Sequence, residues 1–145
     1  MTQEEKDLLL KDLCARLPYE VKCQVQEDEY NYIGTLCRIE VDNKNGHLLD
    51  FVETKSGLDC QVYLSEIKPY LFPLSSMTEE QEIEFKGLLS EVYDFSFRME
   101  ELLEFIQEQK DIPFRYIDWL IKNNFDYIGL IPMGLAINAT GLGVY

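Results

Sequence analysis

The chain has 145 residues, of which 46% are hydrophobic, and its formal net charge at pH 7 is −14. This length and apolar content fit one domain, or a small domain with a helical appendage, and exclude an intrinsically disordered chain. The negative charge argues against direct binding to nucleic acid or to an anionic membrane surface, because electrostatic repulsion opposes both. It is compatible with a basic protein partner, or with a surface that is acidic for solubility alone.

The sequence also argues against export and membrane insertion. No apolar run reaches the roughly 18 residues that a membrane-spanning helix requires. Residues 1–6 are polar and acidic, and they lack the basic start and the apolar run of a signal peptide. We therefore expect a cytoplasmic protein.

The cysteine and histidine residues do not have the spacing of a metal site. Cys14, Cys23, Cys37 and Cys60 form no Cys-x-x-Cys pair, and His47 is the single histidine. We therefore predict no bound metal and no cofactor. Because most of the cysteines fall on alternating strand patterns, we predict buried free thiols that pack as small hydrophobic side chains.

The first half of the chain is predicted to be one helix followed by strands. Thr2 and Glu5 have the spacing of a capping box, and leucines four residues apart predict a helix that ends near Arg16, before Pro18. Alternating apolar and polar residues then predict antiparallel strands. The predicted strands cover residues 19–25, 33–41, 47–54, 58–62 and 68–74, with one helical turn at 63–67.

Two architectures fit this order of elements. Four meandering strands, a one-turn connector and a short last strand are the sequence order of a small Src-homology-3-like barrel. A plain antiparallel sheet covered by the first helix would have the same pattern, and the fold class is α+β in either case. Pro69 and Pro73 lack N–H donors, so we predict that the last strand lies at an edge of the sheet.

The second half is predicted to contain acidic helices. Thr78 to Gln81 form a second capping box, which opens a helix with Ile83 and Phe85 on its apolar stripe. A further helix is predicted over residues 99–106, and a last one follows. The predicted acidic face comprises Glu79, Glu80, Glu84, Glu100, Glu101, Glu104 and Glu108.

The domain organisation follows from this division. Residues 1–74 are expected to form a helix plus a small β domain, and residues 75–145 an acidic helical region packed on it as one compact unit. Glycine residues within 125–136 predict a compact turn with short extended pieces. Residues 140–145 are expected to be a flexible end unless they are docked.

Three stretches have distinctive sequences. They are Lys-Asp-Leu-Cys-Ala-Arg-Leu-Pro-Tyr at 11–19, Lys-Pro-Tyr-Leu-x-Pro-Leu-Ser-Ser-Met-Thr-Glu-Glu at 68–80, and Asp-Trp-Leu followed by Phe-Asp-Tyr-x-Gly-Leu-Ile within 118–131. Together they resemble a family of small uncharacterised proteins encoded by Bacteroidales bacteria, their phages and mobile elements. The resemblance implies a phage or mobile-element context. It implies no catalytic residues, because the family has no settled activity.

Three acidic residues and one histidine are candidates for acid–base chemistry. Asp50, Glu53 and Asp59 lie near the third and fourth predicted strands and would have to converge in a cleft to act as an acid and a base. We favour solvated strand faces for them. His47, beside a turn, is interpreted as a hydrogen-bonded surface residue in preference to a lone base.

Aromatic residues form two candidate binding groups. Tyrosines on one rim of a small β domain often bind ligands or peptides, and packing of half of them into the core is the alternative. The members of this first group are Tyr30, Tyr32, Tyr63 and Tyr70.

The second group lies near the C-terminus and contains Asp118, Trp119, Asp126 and Tyr127. One interpretation is a partner-binding surface built on Trp119 and Tyr127. The interpretation that we favour is that Trp119 fills the helical core with its indole N–H bonded locally.

These observations favour a non-enzymatic accessory protein of phage or mobile-element origin that binds a host protein. In one form of this hypothesis the acidic helices compete with nucleic acid for a basic surface of the partner, and inhibition of a host defence protein would be an example. The alternative is a protein that binds or sequesters a small molecule such as a nucleotide signal. Tyrosines would then supply stacking, and Lys22, Arg38 or Lys68 would supply charge. An enzyme is third, because the sequence shows no nucleophile–base or metal constellation.

Overall fold

The computed structural model describes residues 1–42, 46–90, 104 and 114–145. The described helices are α1 (Gln3–Arg16), α2 (Glu79–Ser90) and α3 (Phe114–Lys122), and 3-10 turns cover Leu17–Tyr19, Leu64–Glu66 and Leu74–Ser76. The described strands are β1 (Lys22–Glu27), β2 (Tyr30–Asp42), β3 (Gly46–Glu53), β4 (Asp59–Tyr63), β5 (Ile67–Pro73), β6 (Phe125–Asp126) and β7 (Ile137–Asn138).

The predicted capping box fixes the start of α1. The Thr2 N–H donates to Glu5 Oε2 at 2.6 Å, and the Glu5 N–H donates to Thr2 Oγ1 at 3.2 Å. Two N–H groups that the helix itself leaves unpaired are thereby satisfied. The helix ends at Arg16 and continues as a 3-10 turn that contains Pro18, which confirms the predicted helix and its end.

The sheet is an open antiparallel meander extended by two short parallel strands. Its order is β4-β3-β2-β1-β5-β6, and β7 also pairs with β5. Among the described strands β4 pairs with β3 alone, so the sheet does not close on itself. The chain therefore has an α+β fold with a helix against a mixed sheet, and the Src-homology-3-like barrel is not confirmed. The five predicted strands correspond one to one with β1 to β5.

The prediction that the proline-containing strand lies at an edge is wrong. In the sheet order β5 lies between β1 and β6. Each part of β5 nevertheless pairs with one described strand only: residues 67–69 with β1, 70–71 with β7 and 72–73 with β6. At both Pro69 and Pro73 one side of the strand therefore has no partner strand among the described residues, and the missing N–H can face that side.

The main hydrophobic core lies between α1 and one face of the sheet. Phe51 packs directly over Gly34, where a Cβ atom would lie 3.1 Å from the Phe51 Cβ, so a larger residue would force the Phe51 side chain to shift by a few tenths of an ångström. Segment 130–136 adds three apolar side chains, which means that the C-terminal part completes the core of the N-terminal part. The buried members are Leu9, Leu13, Val21, Cys23, Val25, Leu36, Leu49, Phe51, Val62, Leu64, Ile67, Leu71, Leu130, Leu135 and Ala136.

A second cluster joins α2 to α3. The Phe85 ring is fully buried, and its centroid lies 5.1 Å from that of Trp119 and 6.3 Å from that of Tyr116. Trp119 also stacks on Phe125, with ring centroids 5.8 Å apart and ring planes 11° apart. The Tyr116 hydroxyl donates to the Leu88 carbonyl at 3.0 Å, so a hydrogen bond supplements the aromatic packing between the two helices.

The described C-terminal part is less helical than predicted. The capping box of Thr78 and Gln81 opens α2 as predicted, with N–H···O distances of 2.9 and 3.2 Å. Residues 125–145, in contrast, form turns and the two-residue strands β6 and β7, so a helical C-terminal half is not confirmed. The helix predicted over 99–106 lies outside the described residues except for Glu104, which is helical and exposed. Outside them as well are Glu100, Glu101 and Glu108.

The predicted burial of the cysteines is confirmed for one of them and wrong for two. Cys23 is buried and Cys60 is half-buried, whereas Cys14 and Cys37 are exposed; all four are free thiols. Cys14 is exposed because the buried face of α1 is the one that carries Arg16. Cys37 is exposed at an irregularity in the pairing of β2 with β3, where the alternation of side chains is interrupted.

Candidate functional site

Residues 140–145, which we call the tail, are docked at the point where β1 and β5 separate. The Tyr145 hydroxyl accepts a hydrogen bond from the Lys22 backbone N–H at 3.1 Å and donates one to the Tyr70 carbonyl at 2.8 Å. The last residue pair of β1 with β5 is Cys23 with Pro69, so Lys22 and Tyr70 would form the next pair. The Tyr145 hydroxyl bridges these two residues. The Lys22 ammonium donates to the Val144 carbonyl at 2.6 Å, and burial raises the pKa of the Tyr145 hydroxyl.

The docked tail forms one wall of a cleft, which we call the tail cleft. The strands β1 and β2 and the end of β3 form the other walls, and the volume of the cleft is about 480 Å³. Small-molecule pockets commonly measure about 300–1,000 Å³, so the tail cleft is large enough for a small organic molecule. Its polar lining includes Lys22, Gln24, Asn31, Thr54 and Lys55.

The four tyrosines of the predicted rim lie in different places. Tyr32 and Tyr70 line the tail cleft, but Tyr70 is only 7% exposed and offers little of its ring to a ligand. Tyr63 lies at the end of β4, in a separate groove of about 290 Å³ that also contains His47. Tyr30 is 76% exposed at the start of β2 and lines neither cavity. The four residues therefore do not form one aromatic rim.

Tyr32 belongs to the main core as much as to the cleft. Its ring packs against that core, and its hydroxyl is buried without a hydrogen-bond partner among the described residues. Burial, followed by the neighbouring Cys60 thiol, raises the pKa of this hydroxyl. Tyr32 therefore remains protonated at neutral pH.

The outer face of α2 carries a compact acidic patch, which we define as Glu79, Glu80, Ile83 and Glu84. All four side chains are exposed, and Ile83 is 71% exposed. Because residues three and four positions apart are neighbours on a helix, Ile83 lies beside Glu79 and Glu80. Within the described part of the chain none of these carboxylates forms an ion pair. Because Ile83 is exposed, the prediction that placed it on the apolar stripe of the helix is wrong.

Trp119 and Tyr127, the predicted aromatic pair near the C-terminus, belong to the second cluster. Trp119 is 8% exposed and is enclosed by aromatic rings, which agrees with a core position. Its indole N–H, which was expected to be bonded locally, has no hydrogen-bond partner among the described residues. Tyr127 is half-buried, and burial raises the pKa of its hydroxyl.

Asp118 and Asp126, the two acids predicted near the C-terminus, each accept hydrogen bonds from neighbouring parts of the fold. Asp118 accepts a hydrogen bond from the Tyr19 hydroxyl at 2.5 Å, which links α3 to the turn after α1. The Asp126 carboxylate accepts three backbone N–H groups from residues 129–131 at 2.8–2.9 Å. Charge-assisted bonds of this kind stabilise a turn strongly, so Asp126 has a structural explanation.

The most conspicuous buried polar group was not predicted from the sequence. Arg16 is fully buried and forms two hydrogen bonds with Asp12, at 2.7 and 3.0 Å. It also donates to the carbonyl groups of Ile121 at 3.3 Å and Phe125 at 2.8 Å. The i,i+4 spacing of an acid and an arginine was visible, but that spacing is also common on solvated helix faces.

The three candidate acids do not converge on one site: Asp50 and Asp59 line one open groove of about 490 Å³, whereas Glu53 lines the tail cleft. Asp50 pairs with Arg38 at 2.9 Å and accepts a hydrogen bond from Gln61 at 2.7 Å. Glu53 accepts a hydrogen bond from the Ser56 hydroxyl in the next turn. Asp59 is exposed at the start of β4. Among the described residues there is also no group of three or more His, Cys, Asp or Glu side chains with the geometry of a metal site.

Comparisons with protein-family models, with curated proteins and with solved structures found no match to this chain. Of the helices that the structure describes, none has the length and apolar character needed to cross a membrane.

Proposed function

We propose that this protein is a non-catalytic binding protein that attaches to a basic surface of another protein through the acidic patch on α2. The observation that supports this proposal is the exposed Ile83 beside carboxylates that have no ion-pair partner among the described residues. An apolar side chain next to unpaired charges is the arrangement found at many interfaces, where the apolar group is buried and the charges steer the encounter.

Stabilisation of the helix α2 explains only some of the residues in the acidic patch. Glu79 and Glu80 lie in the first turn, where negative charges interact favourably with the helix dipole. Glu84 lies beyond the first turn, and the exposed Ile83 gains nothing from the dipole. A single exposed apolar residue is common on protein surfaces. Its position beside Glu79 and Glu80 is what favours a partner.

The partner expected from this chemistry has an apolar pocket surrounded by lysine or arginine residues. Such a surface is typical of proteins that bind nucleic acid, so the acidic patch would compete with phosphate groups for it. The resemblance to proteins of Bacteroidales phages and mobile elements supports a host protein, met in the cytoplasm, as the partner. Inhibition of a host defence protein is one form that this competition would take.

The proposal is tested by comparing what two charge-matched variants recover from a lysate of the natural host. The patch variant is E79Q/E80Q/E84Q, and the control variant carries the same number of Glu→Gln changes at exposed positions elsewhere, at Glu4, Glu27 and Glu29. We expect a partner that the wild type and the control recover at low salt, and that the patch variant does not recover. Equal recovery by all three proteins, or no recovered protein at all, would contradict the proposal.

A second measurement tests the competition itself. The recovered partner is loaded with labelled nucleic acid, and each protein is added in increasing amounts. We expect the wild type and the control variant to displace the nucleic acid, and the patch variant to leave it bound. Displacement should weaken at high ionic strength, because the Debye length is only about 10 Å at 0.1 M salt.

A further inference from the structure

The tail cleft has a different electrostatic character from the rest of this acidic chain. Its lining contains two lysines, Lys22 and Lys55, and one acidic residue, Glu53, whereas the net charge of the whole chain is −14. Lys68 lies next to it, because it is opposite Gln24 in the pairing of β5 with β1. Lysine residues therefore concentrate at one cavity, although the chain as a whole repels anions.

These lysines are not neutralised by the protein. Among the described residues no carboxylate lies within 4 Å of the ammonium groups of Lys22, Lys55 or Lys68. Arg38, in contrast, pairs with both Glu40 and Asp50. An arginine on the same sheet is thus satisfied by acids, whereas the cations at the tail cleft remain available.

The tail holds Lys22 in position. Its ammonium donates one hydrogen bond to the Val144 carbonyl, and its backbone N–H donates to the Tyr145 hydroxyl. The ammonium also lies 5.7 Å from the centroid of the Tyr145 ring, so of its three donors at most two remain for a ligand. A half-buried, oriented ammonium loses less conformational entropy on binding than a free surface lysine does.

Neutral polar side chains complete the lining. Gln24, Asn31 and Thr54 face the cavity, and within the described part of the chain their side chains have no hydrogen-bond partner. The carboxylate of Glu53 accepts a hydrogen bond from Ser56. The cleft thus offers two cations and several neutral hydrogen-bonding groups.

We propose that the tail cleft binds a small organic anion through its phosphate or carboxylate oxygens, with Lys22 and Lys55 as the charged contacts. This site is independent of the acidic patch on α2, because neither surface contains a residue of the other. The carboxylate of Glu53 and the negative field of the chain oppose tight binding. We therefore expect weak binding, with a dissociation constant of about 1 mM.

The test uses the isotope-labelled full chain and two probes, sodium pyrophosphate and sodium tricarballylate, titrated at constant ionic strength while amide chemical shifts are followed. We expect saturable shifts at Lys22, Gln24 and Lys55 with at least one probe. Saturation with pyrophosphate alone identifies a phosphate site, and saturation with tricarballylate alone identifies a carboxylate site. Shifts that do not saturate, or that spread over the whole surface, would overturn the proposal.

A pair of lysine variants tests the assigned contacts. K55Q removes an exposed charge in a turn, and we expect it to weaken binding about fivefold, the effect of one partly screened ionic contact. K11Q removes an exposed charge from α1 outside the cleft and should leave the affinity unchanged. Equal affinity for the wild type and K55Q would show that the cleft is not the binding site. Because no partner protein is present, this result is independent of the test of the acidic patch.

Discussion

The buried pair of Arg16 and Asp12 allows the sharpest prediction about the stability of the fold. We consider the variant R16M, which keeps most of the volume of the side chain and removes its charge and donors. Arg16 is fully buried; two of its four hydrogen bonds go to Asp12 on the same helix, and the other two join α1 to the end of α3 and to β6. The variant leaves the Asp12 carboxylate buried without its partner. The carbonyl groups of Ile121 and Phe125 lose the Arg16 donor and each keep one backbone N–H donor.

The expected loss of stability is large compared with the stability of a small domain. Removing one partner of a buried ion pair costs about 3–5 kcal/mol, because the other charge remains buried and uncompensated. The free energy of unfolding of such domains is about 5–15 kcal/mol, so R16M should approach the limit of stable folding. With a urea dependence of about 2 kcal/mol per molar, the unfolding midpoint should fall by about 2 M.

The measurement is equilibrium unfolding in urea, followed by the fluorescence of the single tryptophan, Trp119, which is buried. The matched control is R38M, because the Arg38 side chain is 60% exposed and its two ion pairs lie at the surface. Surface pairs contribute about 0–1 kcal/mol. If R16M loses no more stability than R38M, the buried network does not hold the elements together and the reasoning is refuted.

The dependence on pH gives an independent check. Burial raises the pKa of Asp12 even though Arg16 opposes the shift. The folded state therefore binds this proton more readily than the unfolded state, so the contribution of Asp12 to stability falls as the pH rises through the window between the ordinary and the raised pKa. Without Arg16 the pKa of Asp12 should rise further. The stability difference between the wild type and R16M should accordingly become smaller as the pH is lowered from 7.

Three further substitutions test single features, each by urea unfolding. Y145F removes the hydroxyl that bonds to the Lys22 N–H and the Tyr70 carbonyl, and should cost about 1–2 kcal/mol; no loss would show that the tail is not docked. D126N replaces the carboxylate that accepts three N–H groups with a neutral amide, and should lower the free energy of unfolding by about 2 kcal/mol. An unchanged urea midpoint would contradict the structural role of Asp126. G34A places a Cβ 3.1 Å from the side chain above it and should cost about 1–3 kcal/mol, whereas a stabilised variant would show that the strands have room for it.

Local patterns predicted the elements well where one physical cause dominated. Alternation of apolar and polar residues located β1 to β4, whereas β5 has three consecutive buried residues and one exposed residue, Lys68. The capping boxes at Thr2 and Thr78 located the starts of α1 and α2, because the reciprocal hydrogen bonds depend only on residues three positions apart. Docking of the tail was left open, as it depends on strands that are far away in the sequence.

The errors occurred where tertiary contacts decide the outcome. Arg16 is buried because α3 and β6 supply carbonyl acceptors more than a hundred positions away. Ile83 is exposed because the second cluster receives α2 through Phe85, so the apolar stripe is narrower than the periodicity indicated. The prolines of β5 are tolerated away from the edge because neighbouring strands change along its length.

The candidate sites were predicted only in part. Tyr32, Tyr70 and Lys22 were named from the sequence and do line one cleft. Lys55 was missed, since a lysine in a turn has no distinguishing local signal. The walls of the cleft come from β1, β2, the end of β3 and the tail, so only the folded chain brings these residues together.

Binding of the acidic patch to a basic partner is tested most directly by one set of affinities. The dissociation constant of the recovered partner is measured for the wild type, for E79Q/E80Q/E84Q and for the control variant changed at Glu4, Glu27 and Glu29. Three partly screened ionic contacts of about 0.5 kcal/mol each predict a loss of about tenfold for the patch variant and no loss for the control. The wild-type affinity should also fall as salt is raised. Equal affinities for the three proteins, or an affinity that salt does not change, would contradict the claim.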